Sequence, residues 1–431
     1  MSTACYFFTS SLSMSRSSEI LITSDGSGQM WSAAGWDPQT GTQLATYKNG
    51  ATLGYNTLNI VAGSYLLAAD KTKPRLYFWP LNRQTHVENL RFVVPGIVTA
   101  LTCSPDGLYI VAAIGEKLCT WQTSTGELLA VLIRHYQTVN CLKFTSDGST
   151  FASGGDDGLV FVWSLSSVVS KTANNTGNRQ AAPLHSFANH SLAVKDIFIG
   201  RFGIQARLIT VSLDCTARIY DLDSGILLLN LVFSVPLTSV CMDIKENFLF
   251  VGCSTGDIFH FDLHTPPRGR EHHVDHGKNS ITFKGHTKSI SCLSVAGDCN
   301  TLVSGSADGS VKLWHIPSRQ ILRSIPHKGP ITAAFFTKAV NNFFANDLKP
   351  KLILHSLQRT PKDGENGVIE VMNNYNLEDF LHPDVFFNKK WNEEITDSNT
   401  HAELRRAEEE IKSLKSINAE MYKFGLKYLM K

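Results

Sequence analysis

Short runs in which apolar and small or polar positions alternate recur through the first three quarters of the chain, set apart by Asp-Gly, Ser-Gly and Thr-Gly turns. A period of two predicts half-buried strands, and the turns between them predict antiparallel hairpins. The runs themselves repeat. HYQTVNCLKFTSDGSTFASGGDDGLVFVW, from His135 to Trp163, aligns without a gap on HTKSISCLSVAGDCNTLVSGSADGSVKLW, from His286 to Trp314, each spanning 28 positions from His to Trp. In both, a Ser (Ser153, Ser304) stands ten residues before the Trp and an Asp (Asp157, Asp308) six before it. A third copy, from His190 to Tyr220, is two residues longer and keeps Thr210 and Asp214 at those offsets.

The closing aromatics of all copies are Trp36, Trp79, Trp121, Trp163, Tyr220, Phe261 and Trp314, spaced by 43, 42, 42, 57, 41 and 53 residues. Several are followed by a turn such as Ser124-Thr125-Gly126 and a further short strand. Seven units of four strands, about 42 residues each and closed by a Trp-type residue, resemble a WD-repeat β-propeller. That resemblance implies that His135, Ser153, Asp157 and Trp163, and likewise His286, Ser304, Asp308 and Trp314, form buried hydrogen-bonded sets. Ser, His and Asp together also invite comparison with a hydrolase triad. A nucleophile would occur once, whereas this set recurs at fixed offsets, so a stapling role is expected.

The two long spacings mark insertions. Residues 166–183, which hold SKTANNTGNRQAA, and 264–279 (HTPPRGREHHVDHGKN) read as solvated loops with no core of their own. His272, His273 and His276 in the second are imidazoles that zinc, copper or nickel would accept, but no cysteine accompanies them and a polar surface loop is expected instead. Arg268 and Arg270 are candidate contacts to phosphate or an acidic partner.

The expected organisation is all-β over residues 1–337, then an extended linker over 338–399 with Phe386, Phe387 and Trp391 as anchor points, then an α-helix over 400–431. In that helix Leu404, Ala407, Ile411, Leu414, Asn418, Met421 and Tyr428 fall at heptad spacing, Gly425 completing the series. A central Asn is the polar residue that sets register in a two-stranded coil, which predicts a homodimer or a partner helix, against a lone helix folded on the propeller.

Composition narrows the function. Lys and Arg number 40 against 38 Asp and Glu, a formal charge of +2, so no global field selects nucleic acid or an anionic membrane. Direct RNA contact is a lesser expectation, through Lys71, Lys73 and Arg75 or through Lys389 and Lys390. No run reaches the roughly 18 apolar residues of a membrane span, and Ala4 to Phe8 is short for a signal core, so a membrane location and secretion are not expected. The nine cysteines include no CxxC pair, and Cys141, Cys241 and Cys292 occupy similar places in strands, as small core residues of a reducing compartment do.

Arg134-His135-Tyr136-Gln137, Lys328-Gly329-Pro330, Phe283-Lys284-Gly285-His286 and Ser104-Pro105-Asp106-Gly107, with Ile417-Asn418, Met421 and Phe424 near the end, resemble the WD repeat-containing protein 18 family of rixosome subunits. The likeness covers most of the chain; the insertions and the linker depart from it. It implies a non-enzymatic scaffold without cofactor, nuclear and nucleolar and also found in the cytoplasm, that pairs with a helical-repeat scaffold subunit and other rixosome proteins. It further implies work beside a midasin-type AAA ATPase on pre-ribosomal particles, assisting removal of the internal spacer from ribosomal RNA precursors. The competing reading is a substrate receptor of a ubiquitin ligase; no recruitment motif precedes the repeats.

Overall fold

Alternation along the strands leaves each small sheet with two apolar faces, and a four-stranded sheet cannot bury both alone; stacking against neighbours is the remaining solution. The computed structural model describes residues 19–360, except 30, 89, 91, 174–180, 265–268 and 275–280, together with Ser413. The chain divides into two units, Met1–Gly367 and Val368–Lys431. The expected helix and its dimer stripe, Lys389, Lys390, Trp391, Phe386, Phe387, His276 and Arg268 lie outside the described residues.

The first unit is a seven-bladed β-propeller, nearly all β. Counting strands outward from the axis as a to d, blade 3 is Ala100–Cys103, Tyr109–Ile114, Lys117–Gln122 and Leu128–Ile133, and blade 7 is Ile290–Val295, Thr301–Ser306, Ser310–His315 and Gln320–Pro326. Blades 4, 5 and 6 are built in the same way, with strands a at Val139–Phe144, Val194–Ile199 and Leu237–Met242. Blade 1 is composite. Its strands b, c and d are Glu19–Asp25, Ala33–Trp36 and Gln43–Tyr47, but strand a is Ile331–Lys338 from the far end of the propeller, pairing Leu21 with Phe336 and Thr23 with Ala334. The ring is thus closed by backbone hydrogen bonds between its first and last strands.

Blade 2 has three regular strands, Asn59–Val61, Tyr65–Ala69 and Leu76–Pro80. Its outer position is filled by an irregular segment that still meets the strand: the Val87 and Leu76 N–H groups bond the Phe78 and Phe92 carbonyls at 2.8 and 2.9 Å, and the Val94 N–H bonds the Pro74 carbonyl at 3.1 Å. Seven hydrophobic clusters lie one at each interface between successive blades, from Ile22, Leu66 and Trp79 between blades 1 and 2 to Leu21, Val303 and Ile331 between blades 7 and 1. Each blade therefore depends on both neighbours.

Both insertions depart from the expected solvated loops. The first opens with an α-helix, Leu165–Ala173, whose Val168 and Val169 are buried. Val168 packs with Leu132, Trp163 and Ala181, so the insertion from blade 4 leans on the outer strand of blade 3. In the second, Glu271–His273 adds a parallel fifth strand to the outer strand Leu227–Val232 of blade 5, and Val274 is buried beside it. A strand held by backbone bonds, such as Asn230 N–H to the Arg270 carbonyl at 2.6 Å, leaves little trace in side-chain composition.

After Lys338 the chain returns along the ring. Leu352, Leu354 and Leu357 enter the cluster between blades 2 and 3, and Leu348 packs against it. Asn342 donates to the Gly63 carbonyl at 2.9 Å, and Asn82 donates to the Ala345 and Asn346 carbonyls at 3.2 and 3.1 Å. Residues 341–358 thus form a strap over blades 1 to 3.

Candidate functional site: blade staples, channel and rim

Strands b and c of each blade bring the residue near the end of b beside the closing aromatic of c, and the loop entering strand a places a residue above both. In blade 4 this joins the expected set. His135 Nδ1 lies 3.0 Å from Asp157 Oδ2, its Nε2 lies 2.9 Å from Ser153 Oγ, and the Trp163 indole N–H donates to Ser153 Oγ at 3.0 Å. Blade 7 repeats it: His286 to Asp308 at 2.9 Å, His286 to Ser304 at 2.7 Å, Trp314 to Ser304 at 2.8 Å. With Nδ1 protonated and Nε2 accepting from the hydroxyl, a neutral imidazole satisfies every member.

The order of atoms is that of a hydrolase triad, but the serine hydroxyl is fully buried and its lone pairs already receive an indole N–H. A substrate carbonyl has no approach to it. Burial alone would raise the Asp308 carboxyl, yet hydrogen bonds from Ser310, His286 and the Ser310 and Thr287 N–H groups outweigh it and hold the carboxyl down to about 2.

Blade 5 keeps His190 on Asp214 (2.9 Å) and on Thr210 (2.7 Å), while the Tyr220 hydroxyl instead accepts from Asn189 at 3.0 Å. A further set escaped the linear offsets. In blade 1 the Trp36 indole donates to Thr23 Oγ1 at 2.8 Å, and Thr23 meets His327 Nε2 at 3.0 Å. His327 stands four residues before strand a, as His135, His190 and His286 do, but that strand comes from the other end of the propeller. Blade 6 replaces the polar set with Phe233, Val251 and Phe261, all buried. Blades 2 and 3 keep the Trp and carry Ala69 and Val111 where the Ser would stand, so each indole needs another acceptor. Trp79 finds the Lys48 carbonyl at 2.8 Å, and Trp121 finds the Gln358 carbonyl of the strap at 2.8 Å.

Three histidines, His286 buried and His260 and His327 partly so, give the ring a pH response. Burial lowers the pKa of His260, His286 and His327, against the opposing pull of Asp262, Asp308 and the Ile325 carbonyl respectively. His260 stacks on Phe250 at 4.8 Å and neither ring nitrogen has a hydrogen-bond partner. A base with a depressed folded pKa binds its proton more readily when unfolded. Stability is therefore complete above the unfolded pKa of about 6.5 and falls as pH drops below it. The thermal midpoint is expected to fall between pH 7.5 and 5.5, and His260→Phe to shrink that fall; an equal fall in the variant would remove His260 from the account.

The inner strands line a central cavity of about 310 Å³, with Asn59, Lys143, Asp196, Arg201, Asp243 and Ser294 among its walls. Asp196 accepts the Ile197 and Val240 N–H groups at 2.9 and 3.0 Å, and burial raises its pKa against the nearby Lys143 charge. Asp243 is occupied by the Asn247 and Phe248 N–H groups. Among the described residues no group of three or more His, Cys, Asp and Glu side chains is placed to hold a metal. His272 and His273, neighbours on one strand, project to opposite faces, the first against Phe261 and the second toward Glu271. Burial pushes the Cys103 and Cys292 thiols up to about 12 and those of Cys141 and Cys241 well above their ordinary value, so these positions are packing residues, not nucleophiles. Lys71, Lys73 and Arg75 are exposed on the turn between strands b and c of blade 2.

The family model described as "WD domain, G-beta repeat" matches residues 126–164 and 277–315. These contain the closing strands of blades 4 and 7, the two with complete His, Ser, Asp and Trp sets. The chain is 37% identical over 436 residues to WD repeat-containing protein 18 of Danio rerio, covering 97% of this chain and 100% of that protein. It is 40% identical over 351 residues to WD repeat-containing protein 18 of Homo sapiens, covering 81% of this chain and 80% of that protein. Pre-rRNA-processing protein pro-1 of Caenorhabditis briggsae is 27% identical over 392 residues, with 88% and 70% covered. Identity of 37% over 97% of this chain and the whole of one relative, and of 40% over 81% of this chain with another, places the chain in the WD repeat-containing protein 18 family.

Proposed function

We propose that this chain is a non-catalytic scaffold subunit of a nuclear and nucleolar complex that matures large-subunit ribosomal RNA precursors, assisting removal of the internal spacer. The observation that carries this reading is the similarity over 88% of the chain to a protein named for pre-rRNA processing, alongside membership of the family. The buried staples support the absence of catalysis, since each Ser and His is consumed in holding its own blade.

The partners proposed are a helical-repeat scaffold subunit with other rixosome proteins, and a midasin-type AAA ATPase on the pre-ribosomal particle. The stripe from Leu404 to Tyr428 is proposed as a helical homodimer contact, a second attachment that raises the effective concentration of whatever the ring binds. Depletion of the chain from its own cells should cause spacer-containing precursors to accumulate, and a tagged copy should co-purify with pre-ribosomal particles. Unchanged precursor levels with no such co-purification would overturn the reading.

A further inference from the structure

The loops that lead into strands a, and the turns between strands b and c, all lie at one end of the ring because the strands are antiparallel. On that face, four successive blades each present one large apolar side chain to solvent: Tyr55 on blade 2 (40% exposed), Ile97 on blade 3 (48%), Tyr136 on blade 4 (81%) and Leu192 on blade 5 (53%). The equivalent loops of blades 6, 7 and 1 carry no exposed large apolar residue among the described residues. Hydrogen bonds link the blade 2 loop to the starts of strands a in blades 3, 4 and 5. The Asn56 carbonyl accepts the Leu101 N–H at 3.1 Å, its amide reaches the Asn140 carbonyl at 3.4 Å, and the Asn140 amide donates to the Val194 carbonyl at 3.0 Å. The result is a continuous crescent around one mouth of the channel.

Charge on the crescent is one-sided for a structural reason. Asp157 and Asp214 are engaged by His135 and His190, Asp156 by Lys195, and Asp70 by Thr72 and the Lys73 N–H. The blades use their own carboxylates as acceptors. Lys71, Lys73, Arg75, Lys117 and Arg134 remain exposed without an ion-pair partner among the described residues; Glu116, beside Lys117, and Glu88, which lines a pocket with Lys73 and Arg75, are exposed carboxylates near them.

We propose that this crescent docks an acidic linear segment of a partner protein, its carboxylates on the free cations and its apolar side chains on Tyr55, Ile97, Tyr136 and Leu192. Exposed apolar groups bordered by unpaired charge mark a protein contact. Two of the four anchors, Ile97 and Leu192, are aliphatic and give a nucleobase no π-face to stack on. RNA is therefore the poorer fit. The inference goes beyond the ribosome-assembly reading and does not depend on it: a chain that binds the probe below yet leaves precursors unchanged would remove that reading alone.

The test uses the full chain and three fluorescent probes: a peptide of Glu and Asp pairs alternating with Leu and Phe, the same peptide with Lys for the acids, and a single-stranded RNA. Anisotropy should show saturable binding of the acidic peptide. Tyr136→Ala and the pair Lys71→Glu with Arg134→Glu should each weaken it about tenfold, the effect of losing one anchor at an interface centre. Leu322→Ala, on the outer strand of blade 7, should leave it unchanged. Failure of the acidic peptide to saturate, equal affinity in the crescent variants, or tighter binding of the RNA or the Lys peptide would each overturn the proposal.

Discussion

A chain ending at Lys338 is expected to unfold at markedly lower urea than one ending at Thr360, although both retain every strand of the ring. The difference is the strap. Leu352, Leu354 and Leu357 are buried in the cluster between blades 2 and 3, and the Gln358 carbonyl is the acceptor for the Trp121 indole. Leu354→Ala or Leu357→Ala alone should cost about 2–5 kcal/mol, the range for deleting a buried leucine. Removing the strap exposes the fully buried Trp121, so its emission should also shift to the red. Gly126→Ala gives a milder version. Gly126 has φ of +73°, a left-handed conformation, and a Cβ there would collide with the Ser356 carbonyl. Equal midpoints for the two chain lengths would show that the strap merely lies on the surface.

Trp163→Ala should cost about 3–5 kcal/mol, as loss of a large buried aromatic does. Ser153→Ala removes far less volume, yet it strands two buried partners, the Trp163 indole N–H and His135 Nε2, each worth about 1–3 kcal/mol when left unpaired. A double-mutant cycle of Ser153→Ala with Trp163→Phe, which removes the donor and keeps most of the ring, should give a coupling of about 0.5–3 kcal/mol. No coupling would mean that the Trp acts through packing alone. Blade 6 shows why the set acts as a unit: Phe233, Val251 and Phe261 stand at its three positions, and a wholly apolar trio leaves nothing unpaired.

Much of the propeller was legible because a blade is a local object. Ser153 and Trp163 lie on adjacent strands of one hairpin, ten residues apart, and the loop carrying His135 precedes the same blade, so fixed offsets along the chain become fixed contacts. Blade 1 defeats that logic. Thr23 and His327 are 304 residues apart, and only ring closure makes them neighbours. The first insertion hid its helix because two adjacent valines were averaged into a polar stretch. The strap hid because Leu348, Leu352, Leu354 and Leu357 follow neither the period of a strand nor that of a helix.

The linear order of residues determined the number of blades, the strands within each and the staples of blades 4 and 7, since all of these are set by hairpins whose partners are near in sequence. Tertiary structure alone decided which strand closes the ring, where the insertions and strap come to rest, and which cations remain free on the crescent. Those outcomes depend on contacts between distant segments and on whether a given charge or indole has already found its partner, and no local pattern records that.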